Sequence, residues 1–472
     1  MSTATVPSPA PERDEPTPGE AAAGPVDDST PLRQPPGRPG SRVIQSLGFV
    51  RDPLAYNIGS RARFGDVWEM KLISRPEPLV VATAHPEHVK SLFTARPEDA
   101  PSLTGESPLR PILGPNSVLT SVGARHLRQR KLLLPPFHGE AVQRYVEMIT
   151  EAAEREIDRW DAGDAFALAP RMQAVTLDVI MSGVFGIELT PAPGSDDHRL
   201  KETFRRLMAA GSHPLFALVD FRNAAQREPR GILKAVLGAV DRRLFAVIRQ
   251  RRAADDHART DVLSLLLQAR DEDGAPLTDS ELRDELMSLI LAGHETTANS
   301  LAWTFERLLR TPEAYDRLRE TVRGSDREAS AAYVEATIHE GMRMRPVITM
   351  IVRKVQRRWR LGEYVVPAGT PVLMSIAAVH HREDVYERPY SFSPERFLDT
   401  KPGTYTWFPF GGGIRRCLGA TLAMAEQRVV VEAIARRTDL RAPDLNPEQP
   451  RQRNVTMIPS RGGQVVVGRR TD

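Results

Sequence analysis

The chain has very little cysteine: one residue, Cys417, in 472. A single thiol cannot close an internal bridge. A disulfide framework is therefore excluded, and the composition fits a reducing cytoplasm. A strong excess of either charge is also missing. The 64 Lys and Arg against 61 Asp and Glu leave a net of +3, which argues against a nucleic-acid partner. No apolar run reaches the roughly 18 to 20 residues of a membrane span. The N-terminus lacks the basic-then-apolar order of a signal peptide. What remains is a chain long enough for a large buried core.

The lone cysteine stands in the most distinctive stretch, Phe410-Gly411-Gly412-Gly413-Ile414-Arg415-Arg416-Cys417-Leu418-Gly419. Glycines let the backbone approach a bulky partner and turn sharply. A lone Cys is a small buried hydrophobe, a nucleophile or a metal ligand. Arginines, backbone N–H groups and the start of a periodic helix all favour a thiolate.

A second stretch is equally unusual. Thr278 and Glu281 form a capping box, followed by a long helix over 279–310 that is almost wholly apolar from Leu286 to Gly293 and apolar again at Leu301-Ala302-Trp303. Near its middle sit His294-Glu295-Thr296-Thr297. Buried polar groups need partners. The helix surfaces there, holds a satisfied polar knot, or carries chemistry. A third motif, Glu340-Gly341-Met342-Arg343, is commonplace alone, but Pro394-Glu395-Arg396-Phe397 lies downstream of it.

Together these stretches resemble the cytochrome P450 family. The haem-loop pattern Phe-x-x-Gly-x-Arg-x-Cys-x-Gly is met at Phe410, Gly413, Arg415, Cys417 and Gly419. The oxygen-groove pattern is met at Ala292, Gly293, Glu295, Thr296 and Thr297. The Glu–Arg–Arg cluster is met at Glu340, Arg343 and Arg396. The resemblance implies a mainly α fold with small β-sheets, in one large catalytic domain over residues 41–472. Haem b would be bound with Cys417 as its iron ligand, since a thiolate pushes electron density onto iron. Ala292 and Gly293 would leave room for a diatomic ligand, and Thr296 and Glu295 would handle protons. His126 and Arg130, four apart on the basic helix Gly123–Lys131, would hold haem propionates with Arg353 and Arg415. Val347, Ile348, Thr349 and Met350 would border the substrate.

The activity implied is monooxygenation of a lipophilic small molecule by O₂. The alternatives are a peroxide-driven peroxygenase and a non-catalytic haem-thiolate gas sensor. No reductase or flavin domain and no dinucleotide fingerprint is recognisable. Electrons are expected from NAD(P)H through a separate ferredoxin or flavodoxin and its reductase. Exposed Arg125, Arg128 and Lys131 are candidates for docking an acidic donor. A soluble, cytoplasmic monomer is the form expected.

Along the chain, residues 1–40 are rich in Pro, Ala and acid and read as a disordered tail. Gly65–Thr83 reads as a hairpin, Pro86–Phe93 as a helix, and 95–120 as a loop of the kind that caps the pocket in this family. Helices are expected over 140–161, 167–186, 196–210, 229–252 and 260–268. Gly211 to Asn223 falls where the family places a lid. Strands are expected over 346–353 and 370–375. A closing hairpin is expected over 455–467, around Arg461-Gly462-Gly463.

Overall fold

The long, largely buried helix sets the architecture. The computed structural model describes residues 21–75, 77–102, 109–137, 140–211, 226, 228–254 and 256–470. In it the central helix runs Asp279–Leu308, with the Thr278–Glu281 capping box formed in both directions. Thirty residues span about 45 Å. Every residue from Leu282 to Ser288 and from Thr297 to Phe305 is buried. Leu168–Phe185 packs along it, and the approach is close. A Cβ on Gly293 would lie 2.5 Å from Ile180 Cδ1. Gly293 therefore admits a neighbouring helix, where the family pattern suggested room for a ligand. The helix Arg327–Met344 crosses nearby, and a Cβ on Gly341 would sit 2.2 Å from Thr304 Oγ1.

The other expected helices fall close to their limits: Pro86–Thr94, Gly123–Leu133, Glu140–Ile157, Asp196–Gly211, Gly231–Ala254, Val262–Gln268 and Ala420–Arg437; Pro312–Arg323 is a further helix for which the sequence reading gives no expectation. Apart from Pro86–Thr94, they enclose one large apolar cluster. A second cluster backs a four-stranded sheet in the order Val67–Met70, Val80–Thr83, Pro371–Ser375, Met350–Lys354. Its middle pairing is parallel and its outer two antiparallel.

Four expectations are corrected. Residues 21–40 are not part of a disordered tail. Ala23–Pro25 adds a strand to Trp359–Leu361, Arg33 bridges to Val365 and Gly37 to Glu69. Backbone pairing at an open sheet edge needs no large side chains, so composition hid it. The closing hairpin lies earlier: Pro450–Arg453 pairs with Thr456–Pro459 through Asn454 at φ 50°. Gln464–Arg470 instead joins Thr438–Arg441 and Ala165–Ala167. The strand placed over 346–353 starts only at Met350. The 95–120 loop contains a short helix, Arg110–Leu113. Of the lid expected at Gly211 to Asn223, Gly211 ends the helix Asp196–Gly211 and the rest lies outside the described residues.

A buried ion pair ties the helices to the segment leading toward Cys417. Glu340 and Arg343 are both 0 % exposed and pair at 2.7 Å, with Arg396 joining Glu340 at 3.1 Å. Arg343 also donates to the His380 carbonyl, and the Ser393 N–H donates to Glu340. Removing one partner strands a buried charge. Glu340→Ala or Arg343→Ala is expected to cost about 3–5 kcal/mol in urea unfolding; a loss below about 1 kcal/mol, as for an exposed pair, would contradict this account.

Two buried acids carry the opposite strain. Burial pushes Glu285 up to about 8, even though the Val118 N–H donates to both its oxygens. Burial alone pushes Glu426 up to about 8, and among the described residues its Oε1 has no hydrogen-bond partner. A raised carboxyl pKa means the folded form holds its proton longer than the unfolded chain. Its stability contribution is complete below the ordinary pKa and is lost as pH rises through about 8. Glu426→Gln should thus gain on the wild type between pH 5 and 9, by up to about 1.4 kcal/mol per unit. Parallel urea midpoints across that range would refute it.

Candidate functional site: a cysteine loop ringed by basic side chains

The cysteine loop is built from turns that only glycine adopts easily. Gly411 and Gly413 have φ 68° and 64°. A Cβ on Gly412 would lie 2.3 Å from Phe93 Cδ2, and one on Gly413 2.3 Å from the Phe93 carbonyl oxygen. The Cys417 N–H donates to the Phe410 carbonyl at 2.9 Å, closing the loop. Phe410 packs on the helical core and meets Trp407 edge-on. Gly419 then caps the helix Ala420–Arg437.

Cys417 is exposed, yet burial pushes its thiol pKa up. The Gly419 backbone N–H and the charges of Arg416 and Arg130 oppose that rise. Both observations hold for a side chain that faces a walled hollow instead of bulk water.

Basic side chains surround this loop. Arg130 donates to the Arg416 carbonyl at 2.8 Å. Arg415 donates to the carbonyls of Val118 at 3.0 Å and Ser121 at 2.6 Å. Among the described residues, Arg353 reaches only the Val352 carbonyl, and it stands over the Phe93 ring. His126 is buried; its pKa is driven down to about 3 by burial and then by Arg415, Arg130 and Arg353. Burial lowers Arg353 to about 10 and, with the two neighbouring arginines, Arg415 to about 10. Phe93, His126, Arg353 and Arg415 line one cleft. Among the described residues, no carboxylate pairs with Arg130, Arg353 or Arg415. A cluster of this kind calls for an anionic guest of more than one charge.

The central helix offers the apolar counterpart. Ala292 is exposed, and Leu289, Gly293 and Thr296 are partly so, although the turns on both sides are sealed. These positions share a helix face. Solvent-sized space therefore reaches the middle of the helix. The Thr296 hydroxyl donates to the Ala292 carbonyl at 2.7 Å. Glu295 is held by Arg453 at 2.6 Å and Thr456 Oγ1 at 3.0 Å. His294, next to it, is buried, and burial lowers its pKa to about 4.

Not every expected site residue lies at open space. Val347 is buried in a cluster with Leu54, Trp303, Ala377 and Met457, and Thr349 is buried too. Ile348 and Met350 keep partial exposure. On the basic helix, Arg128 is bound to Asp271 and Glu281, and Lys131 to Glu272. Arg125 donates to Asn116. The free basic face suggested by the run 125–131 is thus largely neutralised from the loop and helix start at 271–281. Arg453, Thr456 and His380 were not singled out in the sequence, and no local pattern marks them.

Comparison with known proteins agrees with this geometry. The family model described as Cytochrome P450 matches residues 35–467. Mycobacterium tuberculosis proteins carrying the names cytochrome P450 137 and cytochrome P450 135A1 are each 36% identical to the chain. The first match covers 92% of this chain and 91% of the relative; the second covers 91% and 94%. A retinoic acid-bound cyanobacterial CYP120A1 structure superposes with a TM-score of 0.78 at 22% identity, covering 93% of this chain and 99% of that one. The cytochrome P450DA heme domain gives 0.75 at 21% identity, covering 93% and 98%. Cysteine loop, basic ring, central helix and whole-length similarity together place this chain in the cytochrome P450 family of haem-thiolate monooxygenases.

Proposed function

We propose that the chain inserts one oxygen atom of O₂ into a lipophilic small molecule, with electrons delivered by a separate ferredoxin- or flavodoxin-type donor. The observation that carries this reading is the ring of basic side chains beside Cys417, which has no carboxylate partner among the described residues. The residues present fit haem b. Cys417 would ligate the iron, and His126, Arg130, Arg353 and Arg415 would face the two propionates. When bound, the haem supplies oxygen activation, with the thiolate favouring O–O cleavage.

The chain's own groups do the rest. Burial keeps His126 neutral near pH 7, so it acts as a hydrogen-bond partner without adding a fourth charge. The three arginines keep their charge. The open face at Leu289, Ala292 and Thr296 is apolar except for one hydroxyl. That hydroxyl already gives its hydrogen to the Ala292 carbonyl, which leaves its lone pairs to accept from a water or ligand. Turning it round to donate forfeits about 1 kcal/mol of hydrogen bond. Glu295 supplies the adjoining acid, and no membrane-crossing helix is found among the described residues. Ile348 and Met350 are the bordering residues with open surface, so they are the specificity candidates on that segment.

The ligand assignment is tested by the spectrum of the reduced, carbon monoxide-bound protein. Wild type should show the red-shifted Soret band of thiolate-ligated haem, and Cys417→Ser should lose it. A band at the shorter wavelength in wild type would remove the assignment. The proton-handling assignment is tested by Thr296→Ala with any turned-over substrate. Product per O₂ consumed should fall, with peroxide released in its place, while the carbon monoxide spectrum stays unchanged. Full retention of coupling would assign the hydroxyl to helix packing alone.

A further inference from the structure

We propose that His380 is a positioning residue: one fixed tautomer of its ring carries the buried Glu340–Arg343 pair into the backbone of the cysteine loop. The proposal rests on reading Cys417 as the iron ligand.

The geometry determines the tautomer. The Phe408 backbone N–H lies 3.0 Å from His380 Nε2. A backbone N–H only donates, so Nε2 must present its lone pair. The other ring nitrogen, Nδ1, lies 3.2 Å from the Arg343 carbonyl oxygen. A carbonyl only accepts, so Nδ1 must carry the hydrogen. The ring is 0 % exposed, and no water is needed to satisfy either nitrogen. Burial, and then the Arg343 charge, drive its pKa down to about 3. The neutral form with both bonds in place is therefore the one present across the working pH range.

The contact reaches both ways. Arg343 Nη1 donates to the His380 carbonyl at 2.7 Å, so His380 is bound to Arg343 through backbone and ring together. On the far side, Phe408 is the entrance to the loop. Its carbonyl accepts from the Gly411 N–H at 2.9 Å, and the Phe410 carbonyl accepts from the Cys417 N–H at 2.9 Å. The Phe408 ring stands edge-on to His380 at 5.5 Å and to Phe93 at 5.7 Å. Phe93 in turn is what Gly412 and Gly413 close upon. A shift at the Phe408 amide therefore passes directly into the turn that aims Cys417. The neighbouring His381 does a different job: its Nδ1 bonds the Ala377 carbonyl on its own helical turn.

The first test uses the wild-type holoprotein. Nitrogen-15 NMR of selectively labelled histidine should show His380 with Nε2 unprotonated and coupled across a hydrogen bond to the Phe408 amide. That amide should be strongly protected from exchange. An Nε2-protonated ring, or a rapidly exchanging Phe408 amide, overturns the proposal. The second test compares His380→Gln, whose side-chain oxygen reaches the Nε2 position, with His380→Leu, which fills the space without an acceptor. In the reduced carbon monoxide complex, Leu should raise the ratio of the shorter-wavelength to the red-shifted band roughly tenfold. Gln should keep it within roughly twofold of wild type. Leu behaving like wild type, or Gln failing as badly as Leu, overturns it. If the Cys417→Ser spectrum shows that Cys417 is not the ligand, the ligand reading fails by itself. The histidine tautomer and the Phe408 amide still decide the hydrogen-bond bridge.

Discussion

The structure depends on a charge pair placed where charges are costly. Glu340 and Arg343 lie wholly out of water, and desolvating two such ions is offset only when nearly every lone pair and N–H finds a partner. Here the partners come from far along the chain. The Ser393 amide and the Arg396 guanidinium reach Glu340, and the His380 carbonyl accepts from Arg343. The pair cannot be satisfied unless the chain from 380 to 396 lies where it does. That segment carries little regular structure of its own. Its path is set by the ions it must serve, and it delivers the chain to Phe408 and the cysteine turn.

The basic ring beside Cys417 is the reverse arrangement. Arg130, Arg353 and Arg415 bond only to backbone carbonyls among the described residues. Their charges act on one another and on His126, as the lowered pKa values show. A fold does not gather such groups for stability, because mutual repulsion and desolvation both work against it. One region of the molecule is therefore internally neutralised and fixed, and the adjacent one is left short of negative charge. In the proposed reading, the second would be completed by a dianionic prosthetic group, and the first would hold its thiolate ligand in place.

Legibility followed sequence distance. The capping box at Thr278 and Glu281, the helix it opens and the Glu340–Arg343 spacing are local patterns, and each formed as read. The glycines around Cys417 were legible because their spacing is rigid. What was hidden involves partners far apart. Arg453 and Thr456 close on Glu295 from about 160 residues away. The acids that neutralise Arg128 and Lys131 lie about 140 to 150 residues beyond them. The strand at Ala23–Pro25 is held by the backbone of Trp359–Leu361. The glycines at 462–463 suggest a turn in the wrong place, since the hairpin turns at Asn454. Those glycines serve another need: a Cβ on Gly463 would lie 3.2 Å from the Ala302 carbonyl oxygen of the central helix.

That hairpin changes how the acid on the central helix is understood. A carboxylate that accepts from a guanidinium and a hydroxyl at once is held, and charge-assisted bonds of this kind are the stronger ones. Glu295 cannot swing toward the open face of the helix without leaving Arg453 and Thr456. Those residues flank the turn at Asn454, and the strand that follows is itself anchored. The Met457 N–H donates to the Val347 carbonyl, and Trp303 Nε1 donates to the Met457 carbonyl. The same strand thus touches the acid, the central helix and the chain leading to Ile348 and Met350. The strand that restrains the acid is thus hydrogen-bonded, at Val347, to the residue that precedes Ile348. In the proposed reading, the acid and the border of the pocket would therefore be positioned by one strand, made by residues with no motif to announce them.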